Sequence, residues 1–142
     1  MRRIKILLAE DSEFLAEVMK DFLGLQGFRV VIARNGMEAL KHPALNSVDL
    51  IIMDIDMPIM GGIQATSKLR ALGFSRPILA HSGEVDFQLR SDFRAAGFSA
   101  HVAKPIDFPE FVSLLQSLLP ETQRHQPDTR FHVDIEGANS LL

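Results

Sequence analysis

The sequence predicts an α/β protein built on a doubly wound parallel sheet of five strands. Short apolar segments rich in β-branched residues alternate with segments whose apolar residues recur at helical spacing. Such alternation is typical of right-handed βαβ units, which place helices on both faces of a parallel sheet. Several strand-like segments also end in polar residues, and ligand sites in this class of fold lie at the carboxyl ends of the strands.

The first predicted strand, residues 4–9, is apolar and stops at the acids Glu10 and Asp11. Apolar residues at helical spacing over 14–23, with glycines after them, predict an amphipathic helix. Residues 28–33 are rich in β-branched side chains, which predicts the second strand.

Two predicted helices flank the third strand. The pair Asn35-Gly36 marks a turn, after which residues 37–41 predict a short helix. Residues 49–53 form an apolar run that ends at an acid, and this run predicts the third strand. The pattern over 63–72 is again helical.

The C-terminal part contains two further strands and two further helices. Residues 77–81 predict the fourth strand, 85–97 the fourth helix and 99–103 the fifth strand. An acid at the helix start with a glutamate three positions later, as in Asp107 and Glu110, predicts the cap of the last helix. The buried stripe of that helix is predicted to be Phe111, Leu114, Leu115 and Leu118.

Length and composition limit the domain organisation. With 142 residues, we expect one domain over 1–119 and a polar tail over 120–142. Alternating apolar residues near 131–135 predict at most one short strand in the tail, and an unstructured tail is the simpler interpretation.

Charge and cysteine content exclude several kinds of partner. The net charge of −3 and the lack of a long Lys/Arg run argue against direct nucleic-acid binding through charge. No apolar run approaches the roughly 20 residues that span a bilayer, so we expect no membrane insertion. The absence of cysteine fits a reducing compartment, and we expect a cytoplasmic protein.

Polar residues at four strand ends predict one shared site. Glu10 and Asp11 follow the first strand, Asp54 the third, Ser82 the fourth and Lys104 the fifth. Two carboxylates about 4 Å apart repel by roughly 4 kcal/mol at an effective dielectric near 20. Crowded acids therefore need a cation, and carboxylate oxygens suit Mg²⁺.

The same residues predict phosphoryl chemistry. Carboxylates can form aspartyl phosphates, and phosphoryl transfer depends mainly on positioning and charge stabilisation. Asp54 is the candidate acceptor, and Lys104 would supply a second cation. The Ser82 hydroxyl would gain a hydrogen bond only after phosphorylation, which makes it a candidate switch residue.

With these motifs in this order, residues 3–119 resemble the receiver domain of two-component response regulators. The resemblance implies a flavodoxin-like fold with strand order 2-1-3-4-5, and an acceptor, Asp54, that takes phosphate from a histidine kinase or histidine phosphotransfer protein. It also implies a cis peptide bond between Lys104 and Pro105, and a phosphoacceptor that assists its own phosphorylation and dephosphorylation rather than an enzyme. The implied Mg²⁺ ligands are Glu10, Asp11, Asp54 and the backbone carbonyl of Asp56. The matching motifs are Glu10-Asp11, Met53-Asp54-Ile55-Asp56-Met57-Pro58 with Gly61-Gly62, Ser82, and Lys104-Pro105.

The sequence departs from the receiver pattern at several positions. His101 stands where receivers commonly carry Tyr or Phe, so we hypothesise a weakened or pH-sensitive switch; a partly exposed edge residue is the alternative. Asp56 and Glu84 place extra negative charge at the rim and are expected to modulate the phosphoryl lifetime. His81 stands where an apolar residue is usual, and its residue type alone suggests no role.

Two other interpretations remain open at this level. Asp54-Ile55-Asp56 is similar to the nucleophile and acid of haloacid-dehalogenase-like phosphatases, but the acids Glu10 and Asp11 precede Asp54, whereas in those enzymes the metal-binding acids follow the nucleophile. The chain could also be a receiver fragment of a larger DNA-binding regulator or hybrid kinase. The start at Met1 and the short tail favour a free-standing receiver.

The resemblance also implies protein partners. Receivers usually signal through the fourth helix, fifth strand and fifth helix, a face that would include Arg90, Arg94, His101 and residues near Phe108. We expect a downstream protein target for this face. A homodimer formed through the same face is one expected readout.

Overall fold

The described residues, 2–83 and 91–120 of a computed structural model, contain one parallel sheet. Its strands are β1 (Lys5–Ala9), β2 (Arg29–Ala33), β3 (Leu50–Asp54), β4 (Ile78–Ser82) and β5 (Ala100–Ala103), in the order β2-β1-β3-β4-β5. The helices are α1 (Glu13–Leu25), α2 (Gly36–Lys41), α3 (Gly62–Ala71), α4 (Ser91–Ala96) and α5 (Phe108–Leu118), with one 3-10 turn at Leu45–Ser47. The predicted fold and strand order are confirmed.

Alternate residues of the strands supply two hydrophobic cores, one on each face of the sheet. Helices α1 and α5 cover one face, where Ile6, Ile52 and Leu79 meet helix residues such as Phe22 and Phe111. Helices α2 and α3 cover the other face over Leu7, Ile51 and Ile78. Strand side chains alternate between the two faces, so residues two positions apart point to the same face. The core that one residue joins therefore also shows where the residue two positions later points.

Helix α5 packs the predicted stripe against the core that it shares with α1. Phe111 and Leu115 are fully buried, and Leu114 and Leu118 are partly buried against the same core. Phe108, at the start of the helix, is also fully buried, and its ring lies 4.1 Å from that of Phe22. The predicted cap is confirmed, since the backbone N–H of Glu110 donates to Asp107 Oδ1 at 3.1 Å.

Strands β3 and β4 each begin and end one residue later than the sequence predicts. Asp54 is paired with His81 in the β3–β4 ladder, and the N–H of Ile55 donates to the His81 carbonyl at 3.2 Å. Asp54 and Ser82 are therefore the last residues of their strands, so the sheet sets the directions of their side chains.

Some expectations lie outside the described residues. These are the tail over 121–142 with its strand near 131–135, the predicted helical residues 85–90, and the side chains of Glu84 and Arg90. None of the helices within the described ranges has the length and apolar content that crossing a bilayer requires.

Candidate phosphoacceptor site

Four side chains form a row along the carboxyl ends of adjacent strands. The core under α1 and α5 contains one residue near the end of each of four strands, namely Leu8, Ile52, Leu79 and Val102. The residues two positions later are Glu10, Asp54, His81 and Lys104. By the alternation of strand side chains, these four project from the same face of the sheet. The ladder continues past the strand ends, since Glu10 N–H donates to the Ala33 carbonyl at 3.0 Å and Lys104 N–H to the Ser82 carbonyl at 2.9 Å.

Three carboxylates converge at this end of the sheet. Glu10, Asp11 and Asp54 each offer an oxygen, and these oxygens lie within 4.8 Å of one another. Glu10 and Asp54 are buried, whereas Asp11 is exposed. The backbone N–H of Ser12 donates to Glu10 Oε2 at 3.0 Å, and that of Asp56 donates to Asp54 Oδ1 at 3.3 Å. Three carboxylate oxygens this close together suit a hard divalent cation such as Mg²⁺.

Lys104 reaches the same cluster from the far side of β4. Its Nζ lies 3.3 Å from Glu10 Oε1 and 3.3 Å from Asp54 Oδ1. The peptide bond between Lys104 and Pro105 is cis. One ammonium group therefore contacts both buried carboxylates.

The titration of the cluster reflects this crowding. Burial, together with the negative charge of Asp54, raises the pKa of Glu10 to about 7. Burial also raises the pKa of Asp54, although Lys104 opposes the shift. Burial lowers the pKa of Lys104, but attraction to Glu10 and Asp54 outweighs it, and the pKa ends above its ordinary value. Without a metal ion, Glu10 therefore titrates near neutral pH.

Glycines hold the loop after Asp54 against the sheet. A Cβ on Gly62 would lie 2.1 Å from the carbonyl oxygen of Asp54, so the start of α3 can approach β3 only without a side chain. Gly62 N–H donates to the Ile55 carbonyl at 2.9 Å, and Gly36 N–H donates to the Met60 carbonyl at 2.9 Å. These contacts fix where the acceptor strand ends.

The candidate switch residues lie on the opposite face of the sheet. Ala80, two positions before Ser82, packs with Ile55 and Phe93, and it is paired with His101 on β5. Ser82 is buried, while His101 is partly buried, with its ring in an edge contact 6.1 Å from that of Phe93 on α4. Burial lowers the pKa of His101. The structure thus brings Ser82 and His101 to one face and places Asp56 on the exposed rim, while Glu84 lies outside the described residues.

His81 is the member of the row that residue type alone does not identify. It is only 1% exposed, and neither ring nitrogen has a hydrogen-bond partner in the part of the chain that the structure describes. Burial, reinforced by the charge of Lys104, lowers its pKa to about 3, so the ring is neutral at physiological pH. A buried polar group without a partner costs about 1–3 kcal/mol. In the sequence, His81 could be recognised by its position two residues after the core residue Leu79. Glu10, Asp54 and Lys104 follow their own core residues at the same spacing.

Comparison with known proteins identifies the family of the chain. The family model described as "Response regulator receiver domain" matches residues 6–116. The polar-differentiation response regulator DivK of Brucella anthropi is 30% identical over 119 residues, which cover 80% of this chain and 94% of that protein. The CAI-1 autoinducer sensor kinase/phosphatase CqsS of Vibrio cholerae is 31% identical over 106 residues, 72% of this chain but 16% of that protein.

Solved structures agree with the sequence relatives. The chemotaxis protein CheY4 of Vibrio cholerae superposes with a TM-score of 0.77 at 27% identity, covering 83% of this chain and all of that one (100%). The response regulator TrrA of Thermotoga maritima, solved in complex with Mg²⁺-BeF, has a TM-score of 0.75 at 27% identity and covers 82% of this chain and 99% of its own. The chain therefore belongs to the response regulator receiver family, whose members act in two-component systems.

Proposed function

We propose that the protein accepts a phosphoryl group on Asp54 from a histidine kinase or histidine phosphotransfer protein, in a reaction that requires Mg²⁺. The observation that carries this proposal is a cluster of three carboxylates, with oxygens within 4.8 Å of one another, two of which lie 3.3 Å from the ammonium of one lysine. The carboxylate oxygens suit a hard cation such as Mg²⁺, and the lysine adds a fixed positive charge beside the buried acid Asp54. Phosphoryl transfer requires that combination.

In the proposed reaction, a carboxylate oxygen of Asp54 attacks the phosphorus of a phosphohistidine. The P–N bond breaks, its electron pair stays with the imidazole, and an aspartyl phosphate forms. Asp54 must be ionised to attack, and Lys104 stabilises its charge at 3.3 Å. The same ammonium is positioned to bind a phosphoryl oxygen afterwards. The sheet orients the acceptor because Asp54 is the last residue of β3.

Glu10, Asp11, Asp54 and the backbone carbonyl of Asp56 would hold the Mg²⁺ ion. When bound, the ion supplies positive charge that neutralises the acids and the incoming phosphoryl group. The fit is supported by the three carboxylates of the cluster and by the raised pKa of Glu10 and Asp54, since burial raises both values and Lys104 does not offset the effect.

The phosphorylated site would signal through the opposite face of the sheet. We assign Ser82 as the switch hydroxyl, and we assign His101 as the ring that follows it, since both lie on the face where α4 packs. Movement there would reach the surface formed by α4, β5 and α5, including Arg94. This surface would bind a downstream protein or a second copy of the chain in the cytoplasm, a reducing compartment that suits a chain without cysteine.

Asp56 and Glu84 are proposed to tune the lifetime of the phosphoryl group. Asp56 is exposed two residues after the acceptor, so its charge is close enough to act on phosphate or on attacking water. An altered dephosphorylation rate in Asp56→Asn is expected, and an identical rate would remove Asp56 from this role. Glu84→Gln is the corresponding variant for the second acid.

Incubation with acetyl phosphate tests the acceptor chemistry. The intact mass should show one phosphate adduct that requires Mg²⁺ and disappears in Asp54→Asn. An adduct that persists in Asp54→Asn, or no adduct in the wild type with Mg²⁺, would contradict the proposal. Steady turnover of p-nitrophenyl phosphate would instead favour the phosphatase interpretation, which neither the family match nor the order of the acids supports.

A further inference from the structure

Lys104 must pass over β4 to reach the acceptor. β4 lies between β3 and β5, and neighbouring strands are about 4.8 Å apart. Lys104 follows β5, yet its Nζ is 3.3 Å from Asp54 Oδ1 on β3. The aliphatic stem of Lys104 therefore crosses β4 on the face from which both Lys104 and Asp54 project.

His81 is the β4 residue at the crossing point. It is paired with Asp54 on β3 and with Val102 on β5, two residues before Lys104. Its side chain projects from the same face, because Leu79 before it belongs to the core under α1 and α5. The imidazole therefore lies along the path of the lysine side chain, between its root and its tip.

The hydrogen-bonding capacities of the two side chains match. A neutral imidazole has one nitrogen that accepts a hydrogen bond, and an ammonium group donates three. Nζ of Lys104 contacts two carboxylate oxygens, which leaves one donor, and both nitrogens of His81 lack a partner among the described residues. Buried polar groups are rarely left without a hydrogen-bond partner.

We infer that His81 is a positioning residue for Lys104: its ring accepts a hydrogen bond from Nζ when the oxygens of Glu10 and Asp54 turn to a bound Mg²⁺ ion. The imidazole then holds the ammonium beside Asp54 until a phosphoryl oxygen arrives. A neutral acceptor suits this task, since an acid would bind Nζ too firmly and an apolar residue would leave it without a partner. The inference rests on the proposed function, because it assigns a partner to the lysine of that site.

The first test is a magnesium titration followed by nitrogen-15 spectra of the histidine rings in the full chain. His81→Gln identifies the His81 signals. Mg²⁺ should shift the unprotonated ring nitrogen of His81 in the wild type and leave it unmoved in Lys104→Met. An unmoved signal in the wild type, or an equal shift in Lys104→Met, would overturn the inference. This readout needs no phosphorylation, so it separates the inference from the acceptor chemistry.

The second test is a double-mutant cycle on the rate of Asp54 phosphorylation by acetyl phosphate. His81→Val should slow the reaction about fivefold to tenfold, and His81→Gln, which keeps an acceptor, should restore most of the rate. In the Lys104→Met background, His81→Val should have almost no further effect. Equal slowing in both backgrounds, no slowing in His81→Val, or no rescue by glutamine would overturn the inference.

Thr66→Val is the matched control for both tests. Thr66 is fully buried on α3, and its hydroxyl also has no hydrogen-bond partner in the described ranges. Its replacement removes a buried polar group of the same kind away from the lysine, so neither the His81 signal nor the phosphorylation rate should change. If Thr66→Val slowed the reaction as much as His81→Val, a general packing effect would replace the positioning role.

Discussion

At the scale of single residues, burial and a neighbouring acid shift the titration of Glu10. Glu10 is 1% exposed, has Asp54 as a close negative neighbour and shares one lysine with it. These conditions raise the pKa of Glu10 to about 7, whereas its ordinary value is 4.5. The same oxygens belong to the proposed Mg²⁺ site.

Glu10→Gln should therefore stabilise the metal-free protein at high pH. The pKa of Glu10 is higher in the folded state, so its contribution to stability is fully present below pH 4.5 and is lost as the pH rises through about 7. At pH 8 the variant should exceed the wild type in the free energy of unfolding by on the order of 2 kcal/mol, and this advantage should shrink toward pH 4.5. Urea unfolding over this range, without divalent ions, measures it.

The exposed acid Glu17 on α1 supplies the control. Glu17→Gln should show no such growth in stability between pH 4.5 and 8. Adding Mg²⁺ at pH 8 should stabilise the wild type more than Glu10→Gln, because the variant has lost a carboxylate ligand. A pH-independent difference between the wild type and Glu10→Gln would contradict the assignment of the raised pKa to Glu10.

At the scale of secondary-structure elements, the position of the acceptor depends on how closely α3 approaches β3. Gly62, the first residue of α3, lies against the backbone of Asp54 and also bonds to the Ile55 carbonyl. Gly24 in α1 contrasts with it, because a Cβ there would meet no atom within 4 Å. Substitutions at the two glycines therefore distinguish the effect of close packing at Gly62 from the general cost of glycine in a helix.

Gly62→Ala should destabilise the protein by about 1–3 kcal/mol, because the new methyl group overlaps the Asp54 carbonyl. It should also slow phosphorylation by acetyl phosphate, since the end of β3 must shift. Gly24→Ala should stabilise the protein by about 0.5–1 kcal/mol and leave phosphorylation unchanged. Thermal unfolding and intact mass measure both effects, and equal stabilities of the two variants would contradict the close approach.

At the scale of the whole molecule, the sheet separates the candidate acceptor from the candidate switch residues. Two of the acids, Glu10 and Asp54, project with Lys104 from the face that α1 and α5 cover, while Ser82 and His101 project from the face where α4 packs. In the proposed function, a signal from Asp54 would cross the sheet at the end of β4, where Ser82 follows His81. The ring of His101 then meets Phe93 on α4.

His101→Tyr should strengthen the response of α4 and β5 to phosphorylation. A larger aromatic ring fills more of the space beside Phe93, so its inward movement would shift α4 further than that of histidine. Amide spectra recorded before and after acetyl phosphate treatment should show larger changes for residues 91–103 in His101→Tyr than in the wild type. His101→Ala gives the baseline without a ring, and equal changes in all three proteins would exclude a switching role for this position.

Much of the site could be predicted from the sequence because its residues directly follow apolar runs. A strand that is buried on both faces is apolar throughout, so the first acid, hydroxyl or lysine after it marks the strand end. This rule predicts the site residues Glu10, Asp11, Asp54, Ser82 and Lys104, and the fold brings these strand ends to one edge of the sheet. His81 was not explained, because a histidine inside a strand resembles a tolerated core residue until its neighbours are known.

The sequence by itself determined the fold class, the strand order through its resemblance, and the set of candidate residues, because periodicity and residue type are local properties. Only the tertiary structure decided which residues share a face. The register of β3, β4 and β5 places Asp54, His81 and Lys104 in one row, while Ser82 points to the other side. The physical reason is that side chains alternate along a strand, so direction depends on register, and register is set by pairing between distant segments.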